Sequence, residues 1–207
     1  MPRPSNRAQR REEIANALMR IMAKKGYEGA ALSDVAAEAG LTQGLLHYHF
    51  KDKMEILLEA QRMLMTGHMV ALAEAVHAAG SPARQVAAFI DYHLGLGATK
   101  DPEALACWIT LIGEAIRHQP VRDDFEKITR SLAGMLAAIV KQGTSAKVFR
   151  CNDPSVAAAA LVAAIQGYLV LAATARSVIP RASAAASTKA MADGLLKPKT
   201  SILRATK

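Results

Sequence analysis

The stretch GLTQGLLHYHFKDK, Gly40 to Lys53, decides how the rest of the chain is read. It sets two histidines around a tyrosine, with two lysines behind them. Such a cluster suits a metal site, a catalytic pocket or a surface that touches a charged polymer. A helical wheel at about 100° per residue separates the three. With Leu46 at 0°, Phe50 falls at about 40°, and both face a core. Gly44 and Tyr48 fall at about 160° and 200° and face away, flanked by Leu45 and His47. His47 and His49 stand about 200° apart, so they cannot chelate one ion as an i, i+4 pair can. No metal and no cofactor are expected.

The outer face therefore carries an amide (Gln43), bare backbone (Gly44), an aliphatic group (Leu45), an imidazole (His47) and a phenol (Tyr48). That chemistry suits DNA. Gln43 can pair with the N6/N7 edge of adenine, and Leu45 can pack on a thymine methyl. His47, Tyr48 and His49 can donate to phosphates, and Lys53 opens the next helix, whose free N–H groups favour phosphate.

The residues before this segment complete a helix-turn-helix. A short helix from about Ser33 to Ala39 points Val35 and Ala36 inward. Gly40 supplies the positive φ of the turn, and Thr42 can cap the second helix over Gln43–His49. Upstream, Arg7 to Lys25 carries Ile14, Ala17, Leu18, Ile21 and Met22, the apolar stripe of an amphipathic helix, closed by Gly26. Downstream, a helix from Lys53 to Ala79 would be roughly 40 Å long. Gly80-Ser81-Pro82 stops one helix and starts another with Ser81 as cap; Asp101-Pro102 and Asp153-Pro154 repeat the start signal. Pro120 and Gly143 mark further breaks, residues 146–151 read as a loop, and a last helix reaches about Leu196. The expected fold is all-α: an N-terminal three-helix domain with the helix-turn-helix over residues 1–55, joined by the long helix to a helical bundle over 56–207 with a basic tail.

Charge agrees with an anionic partner. The 207 residues carry a net +8, with basic ends around a neutral middle. The two cysteines, Cys107 and Cys151, form no metal or redox pattern and suit a reducing cytoplasm. The N-terminus has no secretory apolar core. Val156 to Ala175 has the length of a membrane span, but it is rich in alanine and broken by Gln166 and Gly167, so a helix buried on several faces is expected and no membrane association. No Ser-His-Asp, HExxH, P-loop or dinucleotide pattern occurs, which excludes the common enzyme signatures.

The run GYEGAALSDVAAEAGLTQGLLHYHFKDKMEILLEA resembles the DNA-binding domain of TetR-family transcriptional regulators. Gly26, Val35, Ala36, Ala39, Gly40, Thr42, Gly44, Leu46, Tyr48, His49, Phe50, Lys53 and Leu57 stand at the matching positions. His47 occupies a place often held by a phosphate-contacting tyrosine, so pH-dependent operator binding is expected. Trp108, Glu114, Ala115, Phe149, Arg150, Asp153, Pro154 and Gly167 resemble the C-terminal domain of the BetI-like, choline-responsive branch. The resemblance implies a cytoplasmic, ligand-responsive repressor that binds a near-palindromic double-stranded operator as a homodimer and is released by a small-molecule effector. It implies DNA contacts from Ser33, Thr42, Gln43, Gly44, Leu45, His47, Tyr48, His49 and Lys53, backed by an arm of Arg3, Arg7, Arg10 and Arg11. It also implies a ligand-binding and dimerisation bundle. Tyr92, His93, Leu96, Trp108, Ile112, Phe125, Ile128 and Gln166 are candidates for the effector cavity, and helix 154–175 with helix 182–196 for the dimer interface. Glu114, a charged residue in an apolar turn, is expected to pair with Arg117, Arg150 or a cationic ligand.

Overall fold

The computed structural model describes residues 6–95 and 102–204; Arg3 and Leu96 lie outside them. The described residues are helical with two 3-10 turns and no strand: α1 (Asn6–Lys25), α2 (Leu32–Glu38), α3 (Gln43–His49), α4 (Lys53–Ala78), α5 (Pro82–Leu94), α6 (Pro102–Arg117), α7 (Gln119–Ser145), α8 (Pro154–Thr174) and α9 (Ser183–Leu196). Local signals explain the ends. Gly26 and Gly40 take φ of 71° and 67°, the left-handed conformation that closes α1 and turns the chain from α2 to α3. Asp153 accepts from the amides of Ser155 and Val156, both at 3.0 Å, and Pro154 begins α8.

Two punctuation marks act otherwise than expected. Ser81 sits at the N-cap of α5, but its side chain makes no capping bond; its carbonyl accepts from the amide of Gln85 at 2.8 Å. Gly143 does not break α7, which runs on to Ser145. It is glycine for room: a Cβ there would lie 2.3 Å from Cδ2 of the buried Phe149 ring.

The chain gathers into two compact units, Met1–His68 with Pro102–Phe125, and Met69–Asp101 with Glu126–Lys207. This division cuts across the 1–55 and 56–207 expected from sequence. Helix α6 belongs with the first unit because it packs along α1. Buried Gln61 of α4 donates to the Val121 carbonyl of α7 at 3.3 Å in the same unit. The first unit buries Ile14, Leu18, Met22, Val35, Leu46, Phe50, Ile56, Leu57 and Leu111. The second has its own core, from Leu72, Phe89, Ile90, Leu136, Val140, Phe149, Leu161, Ile165 and Leu196. Helix α8 is long and apolar enough to cross a bilayer by length and composition. Contrary to the expected burial on several faces, it buries Ala157, Ala158, Leu161, Val162 and Ile165 and leaves Val156, Ala159, Ala163, Gly167 and Leu171 exposed.

Candidate nucleic-acid interface

Helix α3 stands on a buried base. Leu46 and Phe50 are buried, as the wheel requires. Thr42 caps the helix, its Oγ1 accepting from the Leu45 amide at 3.3 Å. Ion pairs from Arg20 to Glu38 at 2.6 Å and Lys25 to Asp34 at 2.8 Å tie α1 to α2. With the base held, Gln43, Gly44, Leu45, His47 and Tyr48 all face solvent, Tyr48 with 70% of its surface exposed. Ser33 and Thr42 are exposed beside them. The structure thus brings seven of the nine sequence-named DNA residues to the surface, buries His49 and leaves Lys53 half-buried.

His49 keeps only 7% of its surface exposed, packs edge-on against Tyr48 at 5.1 Å, and its buried Nδ1 has no hydrogen-bond partner. Burial, then the positive charges of Arg7, Arg11 and Arg10, hold its pKa below the usual imidazole value. Lys53 Nζ donates to the Tyr27 carbonyl at 2.8 Å and lies 4.4 Å from the centre of the Tyr27 ring. The Tyr27 phenol is pushed up to about 12 by burial and the nearby charges of Glu114, Glu28 and Asp52. The first turn of α4 also holds its own caps. Asp52 accepts from the Glu55 amide at 2.9 Å, and Glu55 accepts from the Lys51 amide at 2.8 Å. Backbone and side-chain hydrogen bonds from Lys51 and Arg11 outweigh burial and hold the Glu55 pKa low.

Arg11, which sequence reading placed in the first helix and gave only a backbone-contact role with the basic arm, has a further part here. Its Nη1 donates to the His49 carbonyl at 2.5 Å and to Glu55 at 3.0 Å. Its Nη2 lies 3.5 Å from Glu59, and its guanidinium lies 4.0 Å from the centre of the Phe50 ring. One side chain thus joins α1, the end of α3 and the start of α4. The Asp52-x-x-Glu55 box was legible as a helix-start pattern; nothing in the sequence separates Arg11 from its neighbours Arg7 and Arg10.

The effector candidates divide between the units. Trp108 stacks on Phe125 in the first unit, centroids 5.1 Å apart, with Ile112 half-buried in the same unit. Tyr92, His93, Ile128 and Gln166 belong to the second. There the buried His93 bonds through Nδ1 to the Phe89 carbonyl at 2.8 Å, and Ile128 packs on the core. A recess of about 100 Å³ in this unit is lined by Leu94, Tyr168, Leu169, Ala172 and Ile179, and none of the named candidates lines it. Glu114 pairs with Arg117 at 3.4 Å and His118 at 3.3 Å.

The family described as "Bacterial regulatory proteins, tetR family" matches residues 14–60, and "BetI-type transcriptional repressor, C-terminal" matches residues 82–197. The chain belongs to the TetR family, with a BetI-type C-terminal domain. TetR-family members of this type are DNA-binding transcriptional regulators and not enzymes. HTH-type transcriptional regulator BetI of Agrobacterium fabrum is 28% identical over 139 residues, 67% of this chain and 66% of that protein. BetI of Rhizobium meliloti is 28% identical over 122 residues, 59% of this chain and 60% of that protein. The match spans 60–66% of these relatives' length, less than two thirds. Among solved structures, a TetR-family regulator from Cytophaga hutchinsonii superposes with a TM-score of 0.79 at 22% identity, over 96% of this chain and 100% of that one. A transcriptional regulator from Saccharomonospora viridis, solved in complex with choline, gives 0.76 at 23% identity, over 90% and 95%. These structures share the TetR-family fold.

Proposed function

We propose that this TetR-family chain is a cytoplasmic repressor that binds a near-palindromic operator as a homodimer and releases it when a small molecule binds the C-terminal domain. The observation that carries the DNA reading is the outward face of α3: Gln43, Gly44, Leu45, His47 and Tyr48 exposed on the buried Leu46 and Phe50. Exposed Ser33 and Thr42 would add contacts beside them, and Arg7 and Arg10, exposed in the first turns of α1, would add phosphate contacts. His49 and Lys53 serve the interface from beneath, by fixing the end of α3 and the start of α4. The two α3 helices of a dimer then enter successive major grooves with centres about 34 Å apart.

Dimerisation is supported by α8 and α9, which pack on each other. They leave Val156, Ala159, Ala163, Gly167 and Leu171 exposed on one, and Ala186, Ala190, Met191, Gly194 and Leu195 on the other. Small residues let a second helix pair approach closely, and an apolar face of this size on a soluble chain calls for a cover. The same cover accounts for α8 without a membrane. Release by effector is a shift between two conformers that the ligand binds unequally. The effector residues proposed within the second unit are Tyr92, His93, Ile128 and Gln166. The choline complex of a fold neighbour makes quaternary amines the first compounds to titrate.

Fluorescence anisotropy with an operator selected from random duplexes tests the reading. Gln43→Ala and Tyr48→Ala should each weaken specific binding while leaving stability within about 0.5 kcal/mol, as exposed positions do. Added salt should weaken it steeply. Binding indifferent to both substitutions and to salt would sink the proposal.

A further inference from the structure

The C-terminal end of α6 and the loop between α1 and α2 bring together Glu114, His118 and Glu28, with one ligand atom from each within 4.8 Å of the others. Two of the three are poorly served by the protein. The Glu114 side chain is only 5% exposed, and its Oε2 has no hydrogen-bond partner. Its charged and polar neighbours are loosely placed: Arg117 Nη1 pairs with Oε1 at 3.4 Å, and His118 Nε2 lies 3.3 Å from Oε2, with neither contact as short as an ordinary charge-assisted bond of about 2.8 Å. His118 Nε2 is itself buried without a hydrogen-bond partner. A buried carboxylate left in this condition is costly unless another cation completes it.

The geometry suits a metal ion better than an ion pair. Ligand atoms held tetrahedrally about 2.0–2.2 Å from one ion stand roughly 3.4 Å apart. Glu114 Oε2 and His118 Nε2 already stand 3.3 Å apart. The spacing is i, i+4, the one that puts two ligands on one helical face and that the pair His47 and His49 lacks. The backbone keeps that spacing past the end of α6, where the His118 amide donates to the Glu114 carbonyl at 2.8 Å. Glu28 is exposed, so its carboxylate can rotate in as third ligand. Its loop is held from the other side by Lys53, whose Nζ lies 2.8 Å from the Tyr27 carbonyl and 3.5 Å from that of Glu28. Arg117 competes for Glu114, but its side chain is 64% exposed and free to swing into water.

We propose that Glu28, Glu114 and His118 form a binding site for a divalent first-row transition ion, with water filling the open position. One imidazole and two carboxylates select a borderline ion such as zinc or cobalt over the harder magnesium. The bound ion would staple α6 to the loop that leads into α2 and α3, within one compact unit. Metal occupancy would thereby bear on the segment that presents the reading helix, and binding itself is measurable without DNA.

The test uses the untagged full chain after chelator treatment, titrated with cobalt(II) and read by visible absorption, then displaced by zinc. One saturable equivalent is expected, resistant to excess magnesium. Zinc at a hundredfold above its Kd should raise Tm by about 5 °C or more. Glu28→Gln, at an exposed position that leaves folding intact, should weaken the metal at least about tenfold. His118→Gln should abolish the cobalt spectrum. The proposal is overturned by the absence of saturable binding, by displacement with magnesium as readily as with zinc, or by binding that is the same in wild type and both variants.

Discussion

Replacing Arg11 by methionine keeps an unbranched apolar stem and removes the guanidinium, so it isolates what that group contributes beneath the reading helix. The structure assigns it a charge-assisted bond to the His49 carbonyl, two carboxylate partners in Glu55 and Glu59, and the face of Phe50. A hydrogen bond from a charged donor contributes about 1.5–3 kcal/mol. The ring contact contributes about 0.5–1 kcal/mol at a partly exposed site. The ion pairs add about 0–1 kcal/mol, because the Glu55 side chain is 41% exposed and water screens it. These terms share one side chain and do not sum fully. Methionine also recovers some packing on Phe50, so Arg11→Met should cost about 2–3 kcal/mol in urea denaturation. The loss should be local as well as global. The carbonyl that Arg11 holds is the last of α3, one residue before Phe50, whose amide bonds to the Leu46 carbonyl at 3.0 Å. Hydrogen exchange at the Phe50 amide should therefore accelerate more than exchange in α8. A cost below about 1 kcal/mol, with Phe50 exchange unchanged, would refute the view that Arg11 anchors α3.

Three further outcomes follow from particular contacts. Gly143→Ala gains about 1 kcal/mol of helix propensity, but it places a methyl 2.3 Å from the Phe149 ring and 3.1 Å from Pro82 Cβ; a net loss of about 1–3 kcal/mol in thermal or urea unfolding is expected, and a stabilised variant would contradict the packing. His49 and His68 have folded pKa values lowered, His68 by burial alone and His49 by burial and then neighbouring arginines; their unfolded forms bind protons first, so their contribution to stability is present above about pH 6.5 and lost as pH falls through the folded values. Unfolding between pH 7.5 and 5 should show this slope, and the double variant His49→Gln/His68→Gln should flatten it. Met191→Glu places a charge on the exposed face of α9 and should convert the proposed dimer to monomer in sedimentation, whereas Glu126→Lys on an exposed turn of α7 should leave assembly unchanged.

The legible part of the fold consists of elements whose cause is local. Gln43–His49 was readable to the residue because Gly40, Thr42 and the Leu46/Phe50 spacing all act within one or two turns. The starts of α5, α6 and α8 were readable because proline removes a donor where a helix does not need one. The wheel likewise placed Gln43, Leu45 and Tyr48 outward from periodicity alone. Other features depended on partners far along the chain. Gly143 looked like a break because its reason is a ring six residues away that folds back over α7. Lys53 looked like a phosphate ligand until Tyr27, 26 residues earlier, supplied a carbonyl and a ring. Sequence reading likewise left Glu114 with a choice of partners, and the structure pairs it with Arg117 and His118.

By itself, then, the sequence determined an all-α chain with a capped reading helix, its inward and outward faces and its family, because periodicity, capping and turn chemistry act over a few residues. Only the tertiary structure decided that α6 joins α1, that His49 turns inward and Lys53 bonds to the Tyr27 carbonyl, that Arg11 holds the end of α3, and that Glu28 meets Glu114 and His118. Those are meetings between distant segments, and no local propensity encodes the distance between two side chains that the fold brings together.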